Sequence, residues 1–153
     1  MKPRTLDEAA LTALAAAVAA ALPPHGLVIH LDGDLGAGKT TFVRALLRSL
    51  GHGGAVKSPT YGLVEHYEIA GLRLSHLDLY RLEDPEELEF LGIRDLDGAQ
   101  TTLLIEWPNR GGGMTPAADL RIALAHAPDP ARRVVTLQAL TAAGDAVFRS
   151  INQ

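Results

Sequence analysis

A chain of 153 residues with 47% hydrophobic content suits one globular domain built on a single buried core. Lys and Arg total 14 against 18 Asp and Glu, and the formal charge of −4 offers no global attraction to nucleic-acid phosphates or anionic lipid, so any RNA involvement is indirect or local. There is no cysteine, which excludes disulfides, thiolate zinc sites and cysteine nucleophiles and makes a reducing cytoplasm the expected compartment.

At the amino end, Lys2 and Arg4 precede the apolar run of residues 11–22, an outline that resembles a signal peptide. Asp7 and Glu8 break that outline, and the run is too short to span a hydrocarbon layer of about 30 Å, so no membrane association is expected. The segment reads as an alanine-rich packed helix over about residues 7–22, capped by Thr5 or Asp7 and ended by Pro23-Pro24. Leu27-Val28-Ile29-His30-Leu31 follows, a β-branched and apolar run of the kind that forms a central parallel strand. The glycine-rich loop of residues 33–40 comes directly after it. From Lys39 the spacing predicts a helix that buries Phe42, Val43, Leu46, Leu47 and Leu50, with Gly51 as its left-handed exit.

Residues 52–58 read as a loop ending at Ser58-Pro59-Thr60. Residues 61–69 and 72–79, separated by Ala70-Gly71, read as an antiparallel hairpin. Asp84-Pro85-Glu86-Glu87 then starts a helix that stops at Gly92, with Asp84 as cap and Pro85 in the first position. Residues 101–106 form another buried-looking strand, with Glu106 at its end and Trp107-Pro108 beyond. A glycine loop at 111–113, strands over 120–125 and 133–140, and a helix in the last dozen residues complete the prediction. The expected fold is a single α/β domain of the P-loop NTPase class, residues 1–153. It has a mostly parallel central sheet with an antiparallel hairpin, and helices on both faces.

Gly33-Asp34-Leu35-Gly36-Ala37-Gly38-Lys39-Thr40 carries the chemistry. Triphosphate binding needs several main-chain amides aimed inward, and Gly33, Gly36 and Gly38 permit the close approach and unusual dihedrals this demands. Lys39 offers an ammonium to the β- and γ-phosphates, Thr40 a hydroxyl to Mg2+, and the following helix its positive end. The expected ligand is ATP with Mg2+. A bare glycine turn is the competing reading, and the strand before the loop and the helix after it weigh against that. Such a loop needs an acid opposite Thr40, usually at the end of a buried strand. Two fit: Glu106, ending the more apolar strand, is assigned to Mg2+ directly or through water, and Asp78 is a candidate to orient the attacking water or bind a metal-bound water. For either alone a carboxylate capping a strand end at the surface is an equal reading, and the loop tips the balance to function. Ser58-Pro59-Thr60 has two readings: a switch-like loop that senses the γ-phosphate, with Thr60 adding a hydroxyl to Mg2+ when triphosphate is bound, and an ordinary Ser-Pro turn, the favoured one for the segment taken alone. Trp107 reads as a core aromatic near the site. The six histidines show no metal-ligand spacing and read as structural or surface residues; Arg81, Arg110, Arg132 and Arg133 are of a type that reaches phosphates, but each reads first as a surface charge.

Together these stretches resemble the TsaE (YjeE) family of P-loop ATPases. The matching residues are Gly33 to Phe42, Lys57-Ser58-Pro59-Thr60-Tyr61 and His76-Leu77-Asp78-Leu79-Tyr80-Arg81-Leu82. They continue through Asp84-Pro85-Glu86-Glu87-Leu88 and Gly92-Ile93-Arg94-Asp95 to Ile105-Glu106-Trp107-Pro108. The resemblance implies a small cytoplasmic ATPase that works with the TsaB and TsaD proteins. TsaD transfers a threonylcarbamoyl group to the adenosine next to the anticodon in tRNAs reading codons that begin with adenine, and the ATPase supports that complex's turnover, meeting tRNA only through it. Carried over residue by residue, the resemblance makes Lys39 and Asp78 catalytic and Thr40 and Glu106 metal-binding. It assigns nucleotide contacts to Asp34, Leu35, Gly36, Ala37, Gly38, Lys39, Thr40, Thr41 and Thr60, with Glu8 near the adenine. Hydrolysis by the isolated chain is expected to be slow, because no arginine is placed as a finger unless Arg81 or a partner supplies it. A small-molecule kinase and a nucleotide-gated binding module are the alternatives. A GTPase is disfavoured because no Asn-Lys-x-Asp motif occurs.

Overall fold

A computed structural model of the protein describes residues 2–56, 63–98 and 100–152. In chain order the strands are β1 (Arg4–Asp7), β2 (Val28–Asp32), β3 (Val64–Ile69), β4 (Leu72–Asp78), β5 (Thr102–Glu106), β6 (Leu120–His126) and β7 (Arg132–Ala139). The helices are α1 (Glu8–Ala21), α2 (Lys39–Ser49), α3 (Glu87–Phe90), α4 (Ile93–Gly98) and α5 (Ala142–Ile151), with a 3-10 helix over Pro108–Met114.

Among the described residues the seven strands form one sheet in the order β1-β7-β6-β2-β5-β4-β3. The four in the middle, β6, β2, β5 and β4, run parallel, and antiparallel strands flank them on both sides. Parallel strands covered on both faces need near-continuous apolar sequence, and β5 meets that demand with every residue buried. Leu104 faces a large core shared with α1, α2 and α5, whereas Leu103 and Ile105 face a smaller one shared with Leu88 of α3 and Ile93 of α4. Helices therefore cover both faces.

Local signals explain most element ends. Asp7, not Thr5, caps α1: its carboxylate accepts from the Ala10 amide at 2.8 Å. The β3–β4 hairpin turns through Ala70 (φ +54°) and Gly71 (φ +76°), two successive left-handed residues whose twist matches that of the paired strands. In α2 the residues Phe42, Val43, Leu46 and Leu47 are fully buried, each contributing about 1.5–3 kcal/mol over exposure, while Leu50 is half-buried at the helix end. The segment after Gly92 differs from expectation: the chain passes Gly92 in a left-handed conformation (φ +71°) and resumes as α4. The other addition is β1, which pairs antiparallel with β7, Leu6 opposite Arg133. It holds the start of α1 beside the β6–β7 hairpin and so supplies one wall of the site described next.

Candidate nucleotide site

Three parallel strands end side by side. Leu31 of β2 is opposite Glu106 of β5, and Asp78 of β4 is opposite Glu106 on its other side. The carboxyl edge of a parallel sheet is where α/β folds bind ligands, because the loops leaving the strands diverge there. The loop of residues 33–38 leaves β2 at this edge and enters α2, whose first residue is Lys39. Around it opens a cleft of ≈ 630 Å3, ample for a nucleotide.

Two glycines make the loop possible. Gly38 takes φ +109° at the amino end of α2, leaving the first amides of the helix turned to the cleft. Gly33 takes φ +152°, and a Cβ there would lie 2.3 Å from the Leu124 carbonyl oxygen of β6, a main-chain atom that cannot swing aside. Gly33→Ala is expected to displace the loop and weaken ATP binding by about 10- to 100-fold, from strain of about 1–3 kcal/mol. Titration of the folded variant with ATP checks this, and an affinity equal to the wild type would contradict it. The neighbouring hairpin braces the loop from outside: His126 Nε2 lies 3.3 Å from the Leu35 carbonyl and Arg133 Nη2 donates to the Gly36 carbonyl at 3.3 Å.

Lys39 is 5% exposed and lies inside the loop. Its ammonium donates to the carbonyl oxygens of Gly33 and, at 3.0 Å, of Asp34, and sits 4.1 Å from the centre of the Trp107 ring. Burial pushes its pKa below the usual lysine value, and the carboxylates of Glu106, Asp78, Asp34 and Asp32 pull in the opposite direction. Trp107 holds a left-handed backbone (φ +56°), a strained state for a bulky residue that turns the chain sharply at the end of β5. Tyr80 packs on the indole at 5.0 Å and Arg110 lies over Tyr80 at 5.4 Å, so a short aromatic stack roofs the lysine.

Thr40, on the first turn of α2, donates its hydroxyl hydrogen to the Glu106 carboxylate, both of whose oxygens are 3.0 Å away. Glu106 is 2% exposed and its second partner is His76, whose Nε2 lies 2.5 Å from Oε2. Asp78 is more open; its Oδ1 accepts from the Tyr80 amide at 3.1 Å. A hydroxyl beside a buried carboxylate suits a hard cation such as Mg2+, which takes oxygen ligands. Among the described residues no group of three or more His, Cys, Asp or Glu side chains is placed to hold a metal ion. Such an ion would therefore need phosphate oxygens and water to complete its shell.

Of the residues singled out from sequence, Glu8, Leu35, Gly36, Gly38, Lys39, Thr40, Thr41, Asp78 and Glu106 line this one cleft. Asp34 and Ala37 do not; they close a turn beneath it, the Ala37 amide donating to the Asp34 carbonyl at 3.1 Å. Ser58-Pro59-Thr60 lies outside the described residues. The cleft also takes in Arg81 and Trp107, and residues given no role from sequence: Leu6 and Leu11 of the β1–α1 segment, Pro130 and Ala131 of the β6–β7 hairpin, and Tyr80, with Arg133 beside them. Arg81 and Arg133, read as surface charges, thus face the site, whereas Arg132 turns to Asp129 at 3.7 Å. Among the described residues no helix is long and apolar enough to cross a membrane.

Residues 5–134 match the model of a family described as threonylcarbamoyl adenosine biosynthesis protein TsaE. The chain is similar to the tRNA threonylcarbamoyladenosine biosynthesis protein TsaE of Haemophilus influenzae, 56% identical over 96 residues that make up 63% of this chain and 61% of the relative. It is similar to the protein of the same name from Bacillus subtilis, 37% identical over 134 residues, 88% of this chain and 83% of the relative. The crystal structure of Bacillus subtilis YdiB superposes with a TM-score of 0.81 at 27% identity, covering 99% of this chain and 95% of that one.

Proposed function

Because the chain belongs to the TsaE family, we propose that it is a magnesium-dependent ATPase of the cytoplasm that serves threonylcarbamoylation of the tRNA adenosine next to the anticodon. It acts with TsaB and TsaD and meets tRNA only through that complex, in keeping with its net charge of −4. The observation that carries the reading is the convergence of a glycine loop, a buried lysine and a Thr40–Glu106 pair on one cleft of ≈ 630 Å3. In this reading the amides of residues 34–41 cradle the phosphates, and Lys39 leaves the loop carbonyls to meet the β- and γ-phosphates. Thr40 and Glu106 hold the metal, Asp78 orients the attacking water, and Thr60 answers to the γ-phosphate. Bound Mg2+ supplies charge neutralisation across the β- and γ-phosphates. The adenosine end, in this reading, rests against Leu6, Glu8 and Leu11 and against Pro130, Ala131 and Arg133, which line the same cleft.

Hydrolysis by the chain alone is slow and rises when TsaB and TsaD are added: Arg133, which faces the cleft, is engaged by the carbonyls of Gly36, Pro130 and Arg132. Phosphate release measured with and without the two partners, alongside tRNA modification by the reconstituted set, tests this. Partner-stimulated release supports it. Partner-independent transfer of the γ-phosphate to a small metabolite would instead establish a kinase, and full tRNA modification without this chain would remove the proposed role.

A further inference from the structure

The histidine behind Glu106 does work that neither the loop nor the acids explain. His76 lies on β4 two residues before Asp78, on the same face of the sheet. In the parallel register His76 pairs with Leu104 and Asp78 with Glu106, so His76 meets Glu106 across the diagonal of adjacent strands. Its ring is completely buried. Nε2 is 2.5 Å from Glu106 Oε2, and Nδ1 has no hydrogen-bond partner among the described residues. One polar edge of the imidazole is thus buried without a partner among the described residues, on the face of β4 that also carries the buried Leu74. Among the described residues the ring's one polar tie is to the carboxylate.

We propose that His76 is a positioning residue that sets the protein's affinity for the divalent metal by holding the Glu106 carboxylate against Thr40. The proposal rests on the reading of Thr40 and Glu106 as the metal-holding pair. A carboxylate only accepts, so His76 donates through Nε2, and Thr40 donates its one hydroxyl hydrogen to the same group. With its hydrogen committed to Glu106, the Thr40 oxygen turns its lone pairs away from the acid. His76 aims Glu106 and Glu106 aims Thr40, a three-residue relay running from core to cleft. Without His76 the glutamate keeps, among the described residues, the shared hydrogen of Thr40 and is less constrained about its own side chain. Partners of this kind behind a metal ligand typically change metal affinity 10- to 100-fold when removed.

The test is a titration of Mg2+ against a fluorescent ATP analogue bound to the full-length protein, with binding in EDTA as reference. His76→Leu, which keeps volume and removes the donor, is expected to raise the half-saturating Mg2+ concentration by about 10- to 100-fold while binding in EDTA is unchanged. His76→Gln, whose amide offers a donor at similar reach, recovers most of the loss. If His76→Leu does not fold, His76→Asn carries the same expectation, because its amide is too short to reach the carboxylate. A folded variant lacking the donor that responds to Mg2+ as the wild type does overturns the proposal and leaves the metal-site reading intact. A wild-type protein whose nucleotide binding ignores Mg2+ overturns that reading, and the proposal with it.

Discussion

Lys39→Ala lowers ATP hydrolysis by at least about 100-fold, in the chain alone and in the presence of partners, the loss expected when one preorganised charge at a reacting phosphate is removed. The side chain is held where only a phosphate-sized anion gives it better partners than it has: two loop carbonyls and an aromatic face, none of them a full negative charge. Its pKa is lowered because burial, which disfavours the charged form, outweighs the pull of four carboxylates. The sign for stability follows. Between the lowered value and the ordinary 10.5, the unfolded chain binds more protons at this position than the folded one, so this group makes stability rise with pH across that window. Below the window the cost of burying the charge is fully present. Lys39→Met, which keeps the packed stem, is therefore expected to unfold at a higher temperature than the wild type at neutral pH without nucleotide. It also loses the pH-dependent gain. Added ATP stabilises the wild type and not the variant. A Lys39→Met protein that melts lower than the wild type at neutral pH, or that hydrolyses ATP at the wild-type rate, contradicts the role given to the lysine.

How much of this was legible depends on how local each signal is. The loop of residues 33–40, the cap at Asp7 and the Ala70-Gly71 turn are short-range patterns, in which the residue types needed lie within a few positions of one another. The buried strand β5 announces itself by continuous apolar sequence. By contrast, Arg4-Thr5-Leu6-Asp7 contains one apolar residue and becomes a strand only because β7, far along the chain, offers it a ladder. That pairing also brings Arg133 to the cleft, which explains why the arginine looked like a surface charge in the sequence. His76 escaped for a related reason. Its partner is 30 residues away on the next strand, and only the register of β4 against β5 shows that they meet. The hint available in sequence was its place two residues before Asp78, which puts both side chains on one face of any strand formed there.

The division of labour between the two acids is the second large effect, and the geometry distinguishes them. Glu106 is sealed from solvent and bound to Thr40 and His76, so it is placed to fix a ligand rather than to exchange protons with water. Asp78 ends the neighbouring strand in a more open position facing the cleft, with the Tyr80 amide on Oδ1. Glu106→Gln keeps size and shape but removes the charge, and is expected to weaken Mg2+-dependent ATP binding by about 10- to 100-fold, with hydrolysis falling in step when the metal is limiting. Asp78→Asn is expected to bind ATP and Mg2+ nearly as the wild type does and to hydrolyse it about 100-fold or more slowly, the range lost with a group that handles the attacking water. Metal-dependent binding isotherms and single-turnover hydrolysis at saturating Mg2+ separate the two. Should Asp78→Asn lose the metal and Glu106→Gln lose only the chemical step, the assignments reverse. The Thr40–Glu106 hydrogen bond would then be a structural clasp at the base of α2, and the open acid at the end of β4 would be the one that holds the ion.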